Sequence, residues 1–231
     1  MSNFGFRTLR LVAPWEPSFR DARSAVGAAQ VMRDAQLFAS VAEAVADCGL
    51  VVGTSAMGER ELHHPLHALP HGAEWMRHQL AQGPAALLFG SEKTGLSNQE
   101  LSHCHWVMRI PTRNEHLSMN LGQAVAVCLY ELARGAAEPS PSSANASSIA
   151  PGENAPSAAV PATAENLERL TQLWFETLCT SGYVQSLGEP AMLDKLRHMF
   201  RRLNLSERDA EVWLGMMRKI LWKTKHPSLS R

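Results

Sequence analysis

The sequence predicts an α/β fold with a mainly parallel sheet, followed by a linker and a small all-α domain. Over residues 1–135, short apolar runs alternate with helical patterns, which is typical of parallel strands joined by crossover helices. Residues 136–164 are rich in Pro, Ser and Ala and lack apolar periodicity, whereas residues 165–231 show only helical patterns. We therefore expect one domain at 1–135, a flexible linker at 136–164 and a helical domain at 165–231.

The elements of the first domain are predicted from hydrophobic periodicity. A short run that is apolar on both faces and ends at Gly, Pro or a polar cluster is typical of a strand buried in a parallel sheet. Amphipathic patterns between such runs indicate helices. The strands are predicted at 9–13, 50–53, 85–90 and 107–110, and the helices at 22–36, 40–47, 72–82 and 120–134.

Three more helices are predicted after the linker, at 165–180, 190–203 and 206–223. Ser206, three residues before Asp209, resembles a capping box and marks the start of the last helix. Three tryptophans in this region have the helical spacing of core residues, and we interpret them as packing groups. They are Trp174, Trp213 and Trp222.

Composition and charge narrow the class of protein. The 231 residues have no net charge, which counts mildly against a nucleic-acid binder. The balance is uneven, however: residues 1–163 carry 11 Lys+Arg against 14 Asp+Glu, and residues 164–231 carry 11 against 8. The four cysteines are far apart, and no secretory signal or apolar run of membrane-spanning length is present. We expect a cytoplasmic protein with reduced cysteines.

Two polar loops that follow neighbouring predicted strands carry the residues best suited to chemistry. The first contains Gly90 and Gly95, and the second leads through Ser118, a candidate N-cap, into the helix predicted at 120–134. Loops at the carboxyl ends of neighbouring parallel strands form a ligand crevice. A third, weaker candidate is the segment 54–56 after another strand.

The first loop also has the Gly90-x-x-x-x-Gly95 spacing of a phosphate-binding P-loop. That motif needs Lys and then Ser or Thr directly after the second glycine. Leu96 stands there instead. A nucleotide hydrolase is therefore a disfavoured alternative.

Together, these segments resemble the SPOUT class of S-adenosylmethionine-dependent RNA methyltransferases, in the SpoU/TrmH superfamily. Within it, the chain is most similar to the TrmJ group, which methylates the ribose of tRNA nucleotide 32 and has a helical C-terminal extension. The resemblance covers residues 3–135 well and 165–224 more loosely. The family's F-G-x-E-x-x-G-L loop is matched by Phe89, Gly90, Glu92, Gly95 and Leu96, its S-L-N helix start by Ser118, Met119 and Asn120, and its V-G-T-S-A strand end by residues 52–56.

The resemblance implies a deep trefoil knot, a homodimer, a tRNA substrate and no metal. It places Glu92, Ser118 and Asn120 where the ribose meets the methyl group. Backbone groups of three loops would hold the cofactor. By position these are Thr54, Ser55, Ala56, Gly90, Ile110, Leu117, Ser118 and Met119.

Basic residues of the helical domain are the predicted RNA contacts, because phosphates attract clustered Lys and Arg. An ordinary solvated helical face explains the charge about as well. One cluster is Lys195, Arg197, Arg201 and Arg202, and the other is Arg218, Lys219, Lys223 and Lys225.

Two groups of histidines are interpreted as structural. His63, His67 and His71 have helical metal-ligand spacing, but Pro65 and Pro70 interrupt a helix there. His103 and His105 are expected at the surface or at a strand edge.

The family's first strand and its N-x-G-x-x-x-R helix have no counterpart before residues 1–6, which match only the turn that follows them. The family's arginine at the catalytic centre cannot be assigned to Arg7 or Arg10. We therefore expect residues 1–231 to bind cofactor weakly, to aggregate readily and to methylate slowly or not at all. A catalytically silent module that binds cofactor or RNA is the second hypothesis.

Overall fold

The computed structural model describes residues 1–14, 29–56, 64–113, 115, 118–137, 160–184 and 189–226. The described strands are β1 (Arg10–Val12), β2 (Gln36–Phe38), β3 (Leu50–Thr54), β4 (Leu66–Ala68), β5 (Ala85–Leu88) and β6 (Trp106–Arg109). The helices are α1 (Ala29–Arg33), α2 (Val41–Ala44), α3 (Leu69–Leu80), α4 (Asn98–Ser102), α5 (Leu121–Ala137), α6 (Ala164–Thr180), α7 (Glu189–Arg202) and α8 (Glu207–Lys225).

The strands pair in parallel throughout the described chain. Four of them form one sheet in the order β4-β6-β3-β5, and β1 pairs with β2 in a separate ladder. The centre of the larger sheet is fully buried, with Val51, Val52 and Val107 at 0% exposure. This confirms the predicted α/β class with a parallel sheet, since residues apolar on both faces are what such a sheet requires.

Short elements depart most from the sequence prediction. Strands β2 and β4 have three residues each, too few to show a periodicity. Part of the helix predicted at 22–36 is wrong, because Gln36–Phe38 is a strand and α1 ends at Arg33. The rest of that predicted helix before residue 29 lies outside the described residues.

Helices α6, α7 and α8 pack around a common apolar core. Leu170, Phe200 and Leu214 are buried in it, and Trp174 and Trp213 pack against it as predicted. Trp222 does not: its side of α8 faces outward and the residue is 43% exposed. Within the described chain, no helix is long and apolar enough to cross a membrane.

The helical part is hydrogen-bonded directly to the first domain. The backbone N–H of Ala164 donates to the carbonyl of Cys48 at 2.8 Å, and that of Glu165 donates to Ala46 at 3.0 Å. Helix α5 ends at Ala137, and residues 138–159 lie outside the description. The boundaries of the predicted linker stay a prediction, but the start of α6 is hydrogen-bonded to the segment between α2 and β3.

The histidines are mostly packing groups. His67 lies edge-to-face against Trp75 and Trp106, with ring centroids at 4.5 and 5.3 Å. His63 lies outside the described residues, among which no group of three or more potential metal ligands occurs. The prediction that His103 and His105 are surface residues is wrong, because they are 7% and 6% exposed. Both follow α4 into the buried start of β6.

Candidate active site

A cavity of about 370 Å³ opens at the carboxyl ends of β3, β5 and β6. Because these strands are parallel neighbours, the segments that follow them converge at one edge of the sheet. Every predicted site residue that the structure describes lines this cavity except Asn120, which contacts a lining residue. The lining residues that were predicted are Thr54, Ser55, Ala56, Gly90, Glu92, Ile110, Ser118 and Met119. Leu117 lies outside the described residues.

The loop after β5 folds back on itself beneath the cavity. The N–H of Gly95 donates to the carbonyl of Ser91 at 2.9 Å, and the hydroxyls of Ser91 and Thr94 lie 2.7 Å apart. Gly95 has φ +67°, a conformation that favours glycine. The loop is therefore a closed turn that presents Glu92 at its tip.

Gly90 is required by this turn. A Cβ atom on it would lie 2.0 Å from the carbonyl carbon of Gly95 and 2.1 Å from the N of Leu96. The loop's own backbone occupies the position that a side chain would take.

Glu92 and Asn120 connect the two motif loops. The Asn120 Nδ2 donates to Glu92 Oε1 at 3.2 Å. The same amide's Oδ1 accepts from the N–H of Gln123 at 3.3 Å, and helix α5 begins at Leu121. Asn120 is thus the capping residue of α5, a role that the sequence favoured for Ser118. The start of this helix fixes the amide that holds Glu92.

The end of β3 and the residue after it are held by hydrogen bonds to backbone carbonyls of the neighbouring strands. The hydroxyl of Thr54 donates to the carbonyl of Leu88 at 2.8 Å, and the N–H of Ser55 donates to the carbonyl of Met108 at 3.0 Å. These bonds join β3 to both neighbouring strands at the cavity edge. The polar side chains of this segment therefore build the wall of the site.

Sequence reasoning missed several apolar lining residues. Met108, Leu121 and Ala124 line the cavity beside the predicted groups. Leu121 and Ala124 stand three residues apart on the first turn of α5, so their position on one helix face was the available signal. Together with Ile110 they give the cavity an apolar surface.

The basic residues of α7 divide into two pairs. Lys195 and Arg202 are exposed. Arg197 is 5% exposed and bonds Glu168, whereas Arg201 is 1% exposed and donates to the carbonyl of Ala164 at 3.2 Å. Burial lowers the pKa of Arg201 to about 10. This corrects the sequence prediction for Arg197 and Arg201, because guanidinium groups enclosed by protein cannot reach phosphates.

Comparison with known proteins agrees with this fold. Residues 1–130 match the family model of the SpoU rRNA methylase family. The fold is that of an RNA-methylase-like α/β domain carrying a helical extension. The chain belongs to the SpoU rRNA methylase family, which confirms the resemblance that the loop motifs predicted.

Two relatives are similar along nearly the whole chain. A protein of Yersinia pestis (strain Pestoides F), described as tRNA (cytidine/uridine-2′-O-)-methyltransferase TrmJ, is 32% identical over 228 residues, covering 98% of this chain and 86% of its own. The protein of the same description from Sodalis glossinidius (strain morsitans) is 31% identical over 221 residues, covering 95% and 83%.

Solved structures extend the similarity to three dimensions. TrmJ from Z. mobilis ZM4 superposes with a TM-score of 0.78 at 28% identity, covering 95% of this chain and 89% of its own. A probable methylase family protein from Haemophilus influenzae Rd KW20 gives a TM-score of 0.54 at 27% identity, covering 100% and 89%. The helical extension is therefore included in the similarity to the first structure.

Proposed function

We propose that this protein transfers the methyl group of S-adenosylmethionine to the ribose 2′-hydroxyl of a tRNA nucleotide. The observation that carries the proposal is the contact between Glu92 and Asn120 at the mouth of the cavity, in a member of the SpoU rRNA methylase family. The likeness to TrmJ proteins supports tRNA as the substrate, and the TrmJ group resemblance points to nucleotide 32.

The cavity residues fit such a cofactor. One side is apolar, with Ile110, Leu121 and Ala124 suited to the adenine ring, and the edge at Thr54 and Ser118 is polar. Its volume of about 370 Å³ lies in the range of small-molecule sites. When bound, S-adenosylmethionine supplies a methyl group already activated by its sulfonium.

The residues around the mouth of the cavity then act on the ribose. A ribose hydroxyl is a poor nucleophile until its proton is removed. Glu92 is the carboxylate placed to accept that proton, and Asn120 holds it in position through the 3.2 Å contact. Ser118 stands beside them with an exposed hydroxyl. Positioning of the hydroxyl in line with the methyl group supplies the rest of the rate gain.

The helical domain would hold the RNA through exposed basic residues. Of the predicted contacts we keep Lys195 and Arg202 on α7 and the exposed Arg218, Lys219 and Lys223 on α8. Lys225 is left out of this set because its Nζ forms an ion pair with Glu176 Oε1 at 2.5 Å. The homodimer and the trefoil knot that the family resemblance implies, and the cytoplasmic location expected from the sequence composition, stay predictions.

One experiment tests the reaction directly. The protein is incubated with tRNA and methyl-labelled S-adenosylmethionine, and the product is digested and analysed for 2′-O-methylnucleosides. We expect label in one ribose, and none in a tRNA whose target nucleotide carries a 2′-hydrogen. Cofactor and tRNA binding without transfer would instead support the catalytically silent module, and label on a base would contradict the proposed site.

A further inference from the structure

A second cavity lies at the opposite end of the sheet from the candidate active site. Its volume is about 460 Å³, which is within the range of small-molecule sites. It is lined by the first residues of β3 and β6, by one face of α3 and by the turn between α7 and α8. The two cavities share no lining residue, so the reaction proposed above makes no use of this one.

Trp75 gives this cavity an aromatic surface that is fixed in place. The residue is 52% exposed although its ring is held by two others. His67 lies at 4.5 Å and Trp106 at 6.4 Å between ring centroids, both edge-to-face. An exposed indole held in one orientation can stack on a planar ligand with little loss of side-chain entropy.

His105 adds a ring N–H donor in a buried position. The backbone N–H of Val51 donates to its Nδ1 at 3.1 Å, so the ring proton is on Nε2. His105 is 6% exposed and lines the cavity, and none of the described residues bonds its Nε2. Burial lowers the pKa of this imidazole to about 3, which keeps the ring neutral at physiological pH. A ligand in the cavity would satisfy the donor.

The remaining polar groups are three amides, the imidazole of His78 and the hydroxyl of Ser206. Gln79 lies in the last turn of α3, Gln82 lies two residues after its end, and Asn204 lies on the turn between α7 and α8. Amides both donate and accept hydrogen bonds. Among the described residues that line the cavity, none is Asp, Glu, Lys or Arg. A charged ligand therefore meets no carboxylate, ammonium or guanidinium group among the described lining residues, whereas a neutral ring with donors and acceptors on its edge finds matching groups.

We propose that this cavity binds a neutral heterocyclic base, either in a free nucleoside or as an unpaired base of an RNA chain. The base stacks on Trp75, and acceptors on its edge meet His105 Nε2–H and the amides of Gln79 and Gln82. Stacking on an aromatic side chain and hydrogen bonding along the edge is how proteins hold unpaired bases. Because no Lys or Arg is among the described lining residues, the cavity recognises the base rather than a phosphate.

The test is equilibrium dialysis of the full chain with radiolabelled cytidine, uridine, adenosine or guanosine. Excess S-adenosylhomocysteine is present throughout to occupy the candidate active site, so that adenosine bound there does not contribute to the measured binding. We expect saturable binding of at least one nucleoside. Trp75→Leu and Gln82→Leu should each weaken it about tenfold, which corresponds to the usual value of one stacking or edge contact.

Matched controls separate the cavity from the rest of the surface. Trp222→Leu removes another half-exposed indole, and Gln36→Leu removes another exposed amide on β2; neither should change nucleoside binding. Circular dichroism and urea unfolding establish that the variants fold. Gln82 is exposed, so its substitution tests the site even where Trp75→Leu disturbs packing.

A second arm identifies the source of the base. A short single-stranded RNA is titrated into the wild type, Gln82→Leu and Gln36→Leu. Binding of the RNA but not of nucleosides, weakened only by Gln82→Leu, supports the proposal with RNA as the source. Binding of nucleosides that RNA does not displace supports a free nucleoside. The proposal is overturned if neither arm shows saturable binding, or if Trp75→Leu and Gln82→Leu leave the binding unchanged.

Discussion

Arg197 of α7 and Glu168 of α6 meet through two parallel hydrogen bonds, Nε to Oε2 at 2.7 Å and Nη2 to Oε1 at 2.9 Å. The Nη1 of Arg197 also donates to the hydroxyl of Ser102 in α4 and to Asp194, each at 2.9 Å. Since the Arg197 side chain is 6% exposed, one buried guanidinium joins the helical domain to the first domain.

Removing the carboxylate from this pair should destabilise the whole chain. Burial would raise the pKa of Glu168, but the hydrogen bonds and charge of Arg197 outweigh it and hold the pKa at about 2. Glu168→Gln leaves a buried cation short of its main partner, which typically costs about 3–5 kcal/mol. We expect a fall of this size in the free energy of unfolding by urea. Glu176→Gln on the same helix is the control, because its exposed pair with Lys225 contributes roughly 0–1 kcal/mol.

The stability should also depend on pH through His105. Burial lowers its pKa from the ordinary 6.5 to about 3, so the unfolded state binds a proton that the folded state does not. The contribution of His105 to the free energy of unfolding is fully present above pH 6.5. It is lost as the pH falls toward 3, with a slope of about 1.4 kcal/mol per pH unit.

His105→Asn tests that slope, because the Asn Oδ1 can accept the Val51 N–H in place of Nδ1. Urea unfolding at pH 7 and pH 5 should show a flatter pH dependence than in the wild type. His71→Asn on the exposed surface of α3 should keep the wild-type slope. Equal slopes in all three proteins would contradict the neutral buried imidazole.

The burial and pairing of the charged residues on α7 could not be predicted from the sequence. The spacing of Lys195, Arg197, Arg201 and Arg202 on one helix is visible in the sequence, but the burial of two of them is not. Glu168 lies 29 residues from Arg197 along the chain, and nothing local indicates that they pair. Periodicity predicts that a helix exists, whereas the neighbour on each of its faces is set by packing.

The Gly90 loop should tolerate no side chain. Gly90→Ala places a Cβ against the backbone of Gly95 and Leu96, so the turn below the cavity must open. We expect affinity for S-adenosylhomocysteine, measured by calorimetry, to fall at least tenfold. Gly215→Ala in α8 is the control, since its Cβ would meet nothing within 4 Å. It should keep cofactor affinity and raise the free energy of unfolding by up to about 1 kcal/mol.

The pair of Glu92 and Asn120 should affect the chemical step more than cofactor binding. Glu92→Gln removes the proposed proton acceptor, and general bases typically contribute about 10²–10⁴-fold. The rate of single-turnover methyl transfer should decrease by a factor within that range. The affinity for S-adenosylhomocysteine should change less than about threefold, which is close to the deviation from additivity seen for independent substitutions. A loss of cofactor affinity as large as the loss of rate would make Glu92 a binding residue.

Asn120→Ser separates the two roles of the amide. Serine is a good N-cap, so α5 should keep its start and the free energy of unfolding should change little. The bond to Glu92 is lost, and the methyl-transfer rate should fall. Asn98→Ser at the start of α4 is the control and should leave the rate unchanged.

The site was predicted more completely than the fold around it. Glu92 and Asn120 stand in motifs whose residue types and order are specific, and the structure places them in contact. Strand β4, by contrast, is three residues long and carries His67 at its centre, so no local pattern marks it. It forms because Leu66, His67 and Ala68 pair with β6, a contact between segments some 40 residues apart in the sequence. Such strands depend on tertiary packing rather than on local preference.

The proposed RNA surface leads to a test by charge substitution rather than by deletion. Deleting the helical domain would uncover apolar groups of the first domain and remove Arg197 from Ser102, so a loss of binding would have several causes. Lys219→Gln and Lys223→Gln change only exposed side chains of α8. Each should lower the slope of log K against log salt for tRNA by about one unit.

Lys225→Gln provides the matched control for this measurement. The Lys225 ammonium is paired with Glu176, so its removal frees a carboxylate and takes away no cation available to a phosphate. Among the three variants, Lys225→Gln should therefore change the salt slope least. Titrations by filter binding at several salt concentrations give all three slopes. If Lys219→Gln and Lys223→Gln leave the slope at the wild-type value, the tRNA lies elsewhere and α8 serves packing alone.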